Sequence, residues 1–246
     1  MYNREKAKRL GELIEKSERI VFFGGAGVST ESGIKDFRST DGLYSEQYEY
    51  PPETILSHSF FERMPEVFFR FYRDKLSLGG ARPNAAHEYL AKLEAEGKLT
   101  AVITQNIDGL HQAAGSVNVL ELHGTLLRSY CAKCRREHPT KSITDLCGAV
   151  PRCACGGIIR PDVVLYEEGL DDDVVSRAVH HIRQADLLIV GGTSLVVYPA
   201  AGLLRYYRGS ELVLINKAAT PYDSDATLII NDAIGEVLGA IMRKEV

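Results

Sequence analysis

The sequence predicts an α/β fold, in which a parallel sheet with helices on both faces carries a second, smaller lobe. Short apolar runs of strand length recur along the chain, and most are separated by stretches that suit a helix. Strands that alternate with helices form parallel sheets covered on both faces. Two regions interrupt this alternation, at residues 36–80 and 125–160, and they predict the smaller lobe.

The elements follow in order from the spacing of apolar residues. Leu10, Leu13 and Ile14 recur at helical spacing and predict a helix over residues 4–17, after which the apolar run at 19–23 predicts a buried strand that stops at glycine. Further strands are predicted at residues 100–104, 117–122, 186–190, 211–215 and 227–230. Helices are predicted between them at residues 85–95 and 173–183.

The two interrupting regions differ in composition. Residues 36–80 are rich in aromatic and charged residues without a strand pattern, which predicts a helical insert, whereas residues 125–160 hold the cysteines and predict a metal-organised module. No flexible linker separates them from the rest. We therefore expect a single domain over residues 1–246, whose large lobe comprises about residues 1–35, 81–124 and 161–246.

Composition and charge restrict the function. The chain has 246 residues, 29 Lys and Arg against 33 Asp and Glu, and a net charge of −4. It lacks the basic excess that binding to a phosphate backbone requires, so nucleic acid is not expected as a direct partner. No segment approaches the ~18 consecutive apolar residues of a membrane span. A cytoplasmic protein without a membrane partner is expected, and the oligomeric state stays open.

Four of the five cysteines form two close pairs, Cys131 with Cys134 and Cys153 with Cys155. In a reducing compartment such pairs favour a metal over disulfides. Four thiolates complete a tetrahedral zinc site and leave no open position, so the ion would be structural. Cys147 is a spare thiol that competes as a ligand, and free buried thiols are the alternative.

Residues 24–30 read Gly-Gly-Ala-Gly-Val-Ser-Thr between a strand and an expected helix. Glycines at such a turn let the backbone approach a pyrophosphate, although Thr30 stands where a third glycine would complete the dinucleotide fingerprint. A tight turn without a ligand is the alternative. Phe37 and Arg38 follow closely and could cover a ribose and hold a phosphate, or simply serve packing and surface charge.

Polar residues follow four further strands. Residues 104–111 carry Gln105, Asn106 and Asp108, and His123 follows the next strand. A Gly-Gly-Thr-Ser sequence begins at residue 191, and Asn216 follows residues 211–215. The carboxyl ends of parallel strands form the ligand-binding edge of an open sheet. Imidazole is suited to proton transfer near neutral pH, so His123 is a candidate general base.

In these motifs the chain resembles the sirtuins, the NAD-dependent protein lysine deacetylases, and above all their bacterial members. The resemblance rests on residues 25–29, 33–38, 104–108, 110–111, 122–124, 159–164, 192–197 and 215–216, together with the cysteine pairs. It implies a Rossmann-like large lobe, NAD as co-substrate and one structural zinc ion bound by the four paired cysteines.

The resemblance also implies roles for individual residues. Asn106, Ile107 and Asp108 would form the nicotinamide pocket, and His123 would be the general base. Substrate acetyl-lysine would meet Phe37, His123, Val164, Tyr166 and Val197. The remaining NAD contacts would come from Gly25, Ala26, Gly27, Thr30, Phe37, Arg38, Gln105, Gly192, Thr193, Ser194, Asn216, Lys217 and Ile234.

The activity implied is transfer of the acetyl group of an acetylated protein lysine to ADP-ribose, with release of nicotinamide. The alternatives are a mono-ADP-ribosyltransferase, a deacylase for another acyl group, a hydride-transferring dehydrogenase and a non-catalytic zinc module. Sirtuins that prefer acidic acyl groups carry Tyr-x-x-Arg in the helical insert, where this chain has Tyr72 and Lys75. Lysine lacks the bidentate fork of arginine, so acetyl is expected over succinyl.

The chain departs from the sirtuin pattern at three positions. Gly24 stands where threonine is usual, Lys35 where proline is usual, and Glu167 where glycine is usual. None of the three carries a side chain expected to take part in catalysis.

Overall fold

A computed structural model describes residues 2–36, 48–76, 80–140, 143 and 150–246. Within these ranges the strands form a six-stranded parallel sheet of order β3-β2-β1-β7-β8-β9 and a three-stranded antiparallel sheet of order β5-β4-β6. The strands are β1 (Ile20–Gly24), β2 (Leu99–Thr104), β3 (Val119–Glu121), β4 (Gly124–Cys131), β5 (Glu137–His138), β6 (Ile159–Val163), β7 (Leu187–Gly191), β8 (Glu211–Ile215) and β9 (Leu228–Ile230). The predicted α/β class is confirmed.

In the described part of the chain, α-helices lie at the three positions predicted in the large lobe and within the predicted helical insert, and two further helices, at residues 110–113 and 234–242, were not predicted. The helices are α1 (Arg4–Lys16), α2 (Pro52–Ile55), α3 (His58–Arg63), α4 (Pro65–Lys75), α5 (Ala85–Ala95), α6 (Leu110–Ala113), α7 (Asp172–Gln184) and α8 (Ile234–Met242). No helix in these ranges has the length and apolar character needed to cross a bilayer.

Two apolar cores cover the two faces of the parallel sheet. Successive side chains of a strand point to opposite faces, so Phe22 and Phe23 of β1 enter different cores. Helices α1, α5 and α8 pack on the Phe22 face, whereas α7 and the 3-10 helix Ala200–Tyr206 pack on the Phe23 face. The strands of the sheet interior are therefore mainly apolar, as the sequence analysis expected of a doubly covered sheet.

A third core holds the smaller lobe together. Side chains of α2 to α4, such as Phe60 and Phe68, pack against Leu126 of β4 and Ile159 of β6 in one buried cluster. The rings of Phe61 and Phe68 meet edge to face, with their centroids 5.0 Å apart. The helices of the insert and the antiparallel sheet of the cysteine-bearing region therefore share a single core.

Two buried histidines lie where α5 meets α6. The rings of His87 and His111 are 4.7 Å apart, and both residues are almost completely buried. The Nδ1 of His87 accepts the backbone N–H of Asn84 at the start of α5. Burial lowers the pKa of His87 to about 4 and that of His111 to about 3, so both imidazoles are neutral in the folded protein.

This pair predicts a loss of stability in acid. An unfolded histidine titrates near pH 6.5. As the pH falls from about 6.5 towards 4, these two histidines therefore take up protons in the unfolded chain but not in the folded chain. Each histidine then removes about 1.4 kcal/mol of unfolding free energy per pH unit. Urea unfolding of His111→Leu between pH 7 and 4 should show a flatter profile than wild type. Equal slopes in the two proteins would refute this prediction.

Candidate active site

The candidate site lies at the carboxyl edge of the parallel sheet. Gly24 at the end of β1 is in register with Thr104 of β2 on one side and with Gly191 of β7 on the other, and Gly191 is in register with Ile215 of β8. The polar segments that follow these four strands therefore emerge side by side. Among the described residues, the structure brings those that the sequence analysis assigned to NAD after β1, β2, β7 and β8 to one edge of the sheet.

Two glycine-rich turns pack against each other at this edge. The N–H of Gly27 donates to the carbonyl of Gly192 at 2.8 Å, and the N–H of Gly25 donates to the carbonyl of Gly191 at 3.2 Å. Gly192 has φ +60°, and a Cβ added there would lie 2.3 Å from the backbone nitrogen of Val28. Glycine is required because the backbones of the two turns touch.

The helix expected after the first turn is not formed, and that prediction is wrong. The chain instead makes two short 3-10 helices, Ala26–Val28 and Thr30–Ser32, and Gly33 ends the second in the left-handed region. The side-chain oxygen of Thr30 donates to the carbonyl of Gly27, and Asn84 donates to the carbonyl of Val28. The backbone N–H of Gly235 binds Glu31. Bonds of this kind, rather than a regular helix, hold the turn.

Gly192→Ala is expected to lower the unfolding free energy by about 2–4 kcal/mol, because it adds left-handed strain to a backbone clash. Chemical denaturation measures this loss. Gly33→Ala is the matched control, since Gly33 has φ +85° but no atom within 4 Å of an added Cβ. It should cost only about 1 kcal/mol. Equal losses in the two variants would contradict the contact between the turns.

A buried hydrogen-bonded triad lies behind this edge. The hydroxyl of Ser29 donates to Asp108 Oδ2 at 2.7 Å and accepts from Asn106 Nδ2 at 3.1 Å. Asp108 Oδ1 accepts the N–H of Leu110 at 2.9 Å, and the N–H of Asn106 donates to Thr104 Oγ1. Asn106 and Asp108 are both less than a tenth exposed. Buried polar groups are costly unless they are bonded, so this network fixes both side chains in one orientation.

Gln105 links the β2 edge to the β7 edge. Its amide Nε2 donates to Thr193 Oγ1 at 3.0 Å, and its backbone N–H donates to the carbonyl of Gly24 at 2.9 Å. The Thr193 oxygen also accepts the N–H of Leu195. Three of the segments assigned to NAD are thus tied by direct bonds.

His123 is held as a neutral base. Its Nδ1 lies 3.0 Å from the backbone carbonyl of Gln105, which can only accept, so Nδ1 carries the proton and Nε2 presents a lone pair. Burial lowers the pKa of His123, and the bond to Gln105 only partly offsets this. The imidazole is therefore ready to take a proton at neutral pH.

The segment after β6 runs beside His123. The N–H of Val164 donates to the carbonyl of His123 at 3.0 Å. Tyr166 is 37% exposed and pairs through its backbone with Leu56 and His58. Val197, from the segment after β7, is half-buried.

The other predicted residues are placed as follows. Phe37, Arg38 and Cys147 lie outside the described residues. Ser194 and Lys217 are exposed, and Asn216 donates from its side chain to the carbonyl of Ala218. Ile107 packs against the core of the smaller lobe. Ile234 is 3% exposed and lies in the core beside Gly191.

Sequence reasoning did not assign Ser29 and Asn84 to the site. Ser29 is completely buried, and it is the residue that joins Asn106 to Asp108. The sequence indicates this role only through the presence of a small hydroxyl residue in the glycine-rich turn. Asn84 caps α5 and also binds Val28 and Ser32, a link that no local pattern predicts.

The four paired cysteines converge at the far end of the antiparallel sheet. Their sulfur atoms all lie within 4.8 Å of one another, with Cys131 to Cys155 at 3.5 Å and Cys134 to Cys153 at 3.8 Å. Four thiolates 2.3 Å from a tetrahedral zinc ion would be about 3.8 Å apart, so the residues fit this metal. Backbone N–H groups, first that of Cys134, lower the pKa of Cys131 to about 6 and favour the thiolate.

The fold and the site define the class of protein. It is an α/β protein with a Rossmann-like sheet, a polar ligand edge that includes a neutral histidine, and a separate tetrathiolate module. The Sir2 family model matches residues 25–199, and the chain belongs to this family.

Relatives and solved structures match this chain over nearly its whole length. An NAD-dependent protein deacetylase of Clostridium perfringens is 60% identical over 242 residues, which cover 97% of this chain and 99% of that protein. A Sir2 complex with a p53 peptide and NAD+ has a TM-score of 0.86 and 40% identity, covering 97% and 98% of the two chains. A Sir2 variant with a deacetylated p53 peptide and 3′-O-acetyl ADP-ribose has a TM-score of 0.89 and 40% identity, covering 96% and 97%. The predicted family is confirmed.

Proposed function

We propose that this protein is an NAD-dependent protein lysine deacetylase that transfers the acetyl group of acetyl-lysine to ADP-ribose and releases nicotinamide. The observation that carries this proposal is the pairing of a neutral His123 with the buried Asn106–Ser29–Asp108 network on one sheet edge. NAD supplies the ADP-ribosyl group that accepts the acetyl group. It is therefore consumed rather than reduced.

In this proposal some residues of the chain bind NAD, and His123 transfers a proton. Asp108 and Asn106 are held rigidly, so they can receive the carboxamide of nicotinamide without reorganising. Gln105, Thr193 and Asn216 offer hydroxyl and amide groups along the same edge. His123 Nε2 takes a proton from a ribose hydroxyl, while its Nδ1–H stays on the Gln105 carbonyl.

The segment that follows β6 supplies the proposed substrate contacts, and the cysteine-bearing region supplies the metal module. We assign the backbone carbonyl of Val164 and the side chain of Tyr166 to acetyl-lysine, together with Val197 from the segment after β7. One structural zinc ion on the four paired cysteines fits the sulfur geometry. Metal-bound thiolates also favour a cytoplasmic location, where cysteines stay reduced.

Acetyl groups are the proposed acyl substrate. Tyr72 is buried in the core of the smaller lobe, and burial raises its pKa to about 12, so its hydroxyl stays neutral. The Lys75 ammonium lies 5.5 Å from the centre of the Tyr48 ring. A lysine ammonium at this position lacks the bidentate fork with which an arginine would bind a succinyl carboxylate.

One incubation tests the function and its alternatives. NAD labelled in the adenosine half is mixed with acetyl- and succinyl-peptides, and the products are followed by mass spectrometry and absorbance. We expect free lysine peptide, nicotinamide and acetyl-ADP-ribose, mainly from the acetyl-peptide. Label bound to protein without free lysine would instead indicate a mono-ADP-ribosyltransferase, and absorbance of reduced nicotinamide would indicate a dehydrogenase.

A further inference from the structure

A buried arginine of β6 is bonded at three places. Arg160 is 4% exposed, and its guanidinium donates to Glu168 Oε1 at 2.5 Å and to Glu168 Oε2 at 2.9 Å. Its Nη2 also donates to the carbonyl of Val163 at 2.7 Å. Arg160 lies over the ring of Phe61, 5.2 Å from its centre. The guanidinium of this bidentate pair is therefore buried beside the Phe61 ring, whereas the Glu168 side chain is 22% exposed.

Glu168 joins three parts of the chain. Besides Arg160, its carboxylate accepts the backbone N–H of Leu165 at 2.8 Å and binds His58 Nδ1 at 2.8 Å. Burial raises the pKa of Glu168, but the hydrogen bonds from Arg160, Leu165 and His58 outweigh it, so the pKa lies below its usual range. One carboxylate thus connects β6, the segment that follows it, and the first residue of α3.

The start of α3 holds the same segment through further bonds. The N–H of His58 donates to the carbonyl of Tyr166, and Ser59 donates through its N–H and hydroxyl to the two oxygens of Glu167. Glu167 has φ +76°, the conformation that explains why glycine is usual there. Residues 163–168 are therefore fixed from both ends by polar contacts.

Stability alone does not account for a buried ion pair, because apolar residues of similar volume often serve as well. Such a pair does fix the relative position of the two side chains, since a guanidinium and a carboxylate form two parallel hydrogen bonds in few orientations. We infer that Arg160 and Glu168 are positioning residues, which hold residues 163–168 in the shape that receives the acylated lysine peptide. They act through Val164 and Tyr166 without touching the peptide themselves. This inference rests on the proposed function.

The test is steady-state kinetics of Arg160→Lys and Glu168→Gln with acetyl-peptide and NAD varied separately. We expect KM for the peptide to rise about 10-fold, with kcat and KM for NAD within about twofold of wild type, because the change removes peptide binding in the ground state and the transition state alike. Arg128→Gln is the matched control. Arg128 forms an exposed ion pair with Asp162 across the same two strands, and its loss should leave all three constants unchanged.

A second measurement keeps the inference testable if Arg160→Lys folds poorly. Hydrogen exchange of a fragment covering residues 163–168 should quicken at least 10-fold in Glu168→Gln, since the hydrogen bond from the Leu165 N–H to residue 168 is weakened. The zinc content should stay at one ion per chain. His58→Gln, a half-exposed change, should raise peptide KM in the same direction.

The outcomes separate two failures. A wild-type protein without NAD-dependent deacetylation overturns the proposed function, whatever the variants do. An active wild type beside Glu168→Gln and His58→Gln with unchanged peptide KM overturns the inference. A fall in kcat and melting temperature at constant KM would also overturn it, because that pattern indicates a merely structural ion pair.

Discussion

His123→Ala is expected to lower kcat for deacetylation at least ~100-fold while the protein stays folded, as the loss of a general base does. Within the described part of the chain, the ring of His123 is hydrogen-bonded through Nδ1 to the Gln105 carbonyl alone, so its removal leaves the rest of the edge in place. Single-turnover assays with acetyl-peptide and saturating NAD measure the chemical step. Circular dichroism and zinc content should match wild type.

The matched control is His180→Ala, which removes an exposed imidazole of α7 and should leave kcat within about twofold. If His123→Ala kept more than a tenth of the wild-type rate, another group would have to be the base. The proposed role of His123 would then be wrong.

The same residue sets the acid side of the pH profile. Burial lowers the pKa of His123 below its usual 6.5, so the neutral, proton-accepting form is present at pH 7. The rate should fall as the pH drops through that lowered pKa, and it should stay level between pH 7 and 8. An acid limb centred above pH 6.5 would contradict the burial argument.

The sheet was predictable because its signals are local. Runs such as Glu211–Ile215 are apolar over the length of a strand, and the polar residues that follow them must share one edge once the strands are parallel. The role of Ser29 was not predictable in this way. It depends on bonds to Asn106 and Asp108, 77 and 79 residues away, which only the folded sheet brings into reach.

The smaller lobe shows the other limit of the sequence. Strands β4 and β6 pair with an irregular register between Thr125 and Ser129, and β6 itself contains the buried, charged Arg160. Their sequences therefore do not alternate regularly between apolar and polar residues. The cysteine spacing located the metal module, but the antiparallel sheet that carries it has no comparable pattern. Likewise, the glycine-rich turn indicated a helix, whereas contact with Gly192 and the bond from Asn84 favour short 3-10 turns.

Cys131→Ala is expected to remove the zinc ion and to abolish measurable deacetylation, with a loss of at least ~100-fold. Structural zinc contributes about 10–16 kcal/mol in small zinc domains, which equals or exceeds the stability of a typical domain. The loss of stability should be confined to the smaller lobe. Cys131 and Cys153 belong to the core of the smaller lobe, whereas the cores of the parallel sheet contain no cysteine among the described residues.

Activity should be lost because one strand connects the two sites. β4 begins at Gly124, next to His123, and ends at Cys131, so unfolding of the module frees the proposed substrate segment, which is paired to β4 at Val163. Gly157 is tied to the same cluster, since an added Cβ would lie 2.6 Å from Cys131 Sγ. We expect metal analysis to show less than about 0.1 zinc per chain, and circular dichroism to retain most of the signal of the parallel-sheet lobe.

Cys147→Ala is the matched control and should keep one zinc per chain with near-normal activity. Removal of zinc from wild type by a chelator should reproduce the Cys131→Ala phenotype, which would exclude a local packing defect as its cause. If Cys131→Ala kept one zinc and its activity, Cys147 would be able to replace a ligand. The assignment of the site to the four paired thiolates would then fail, since a closed tetrahedral site binds its metal through those four sulfurs alone.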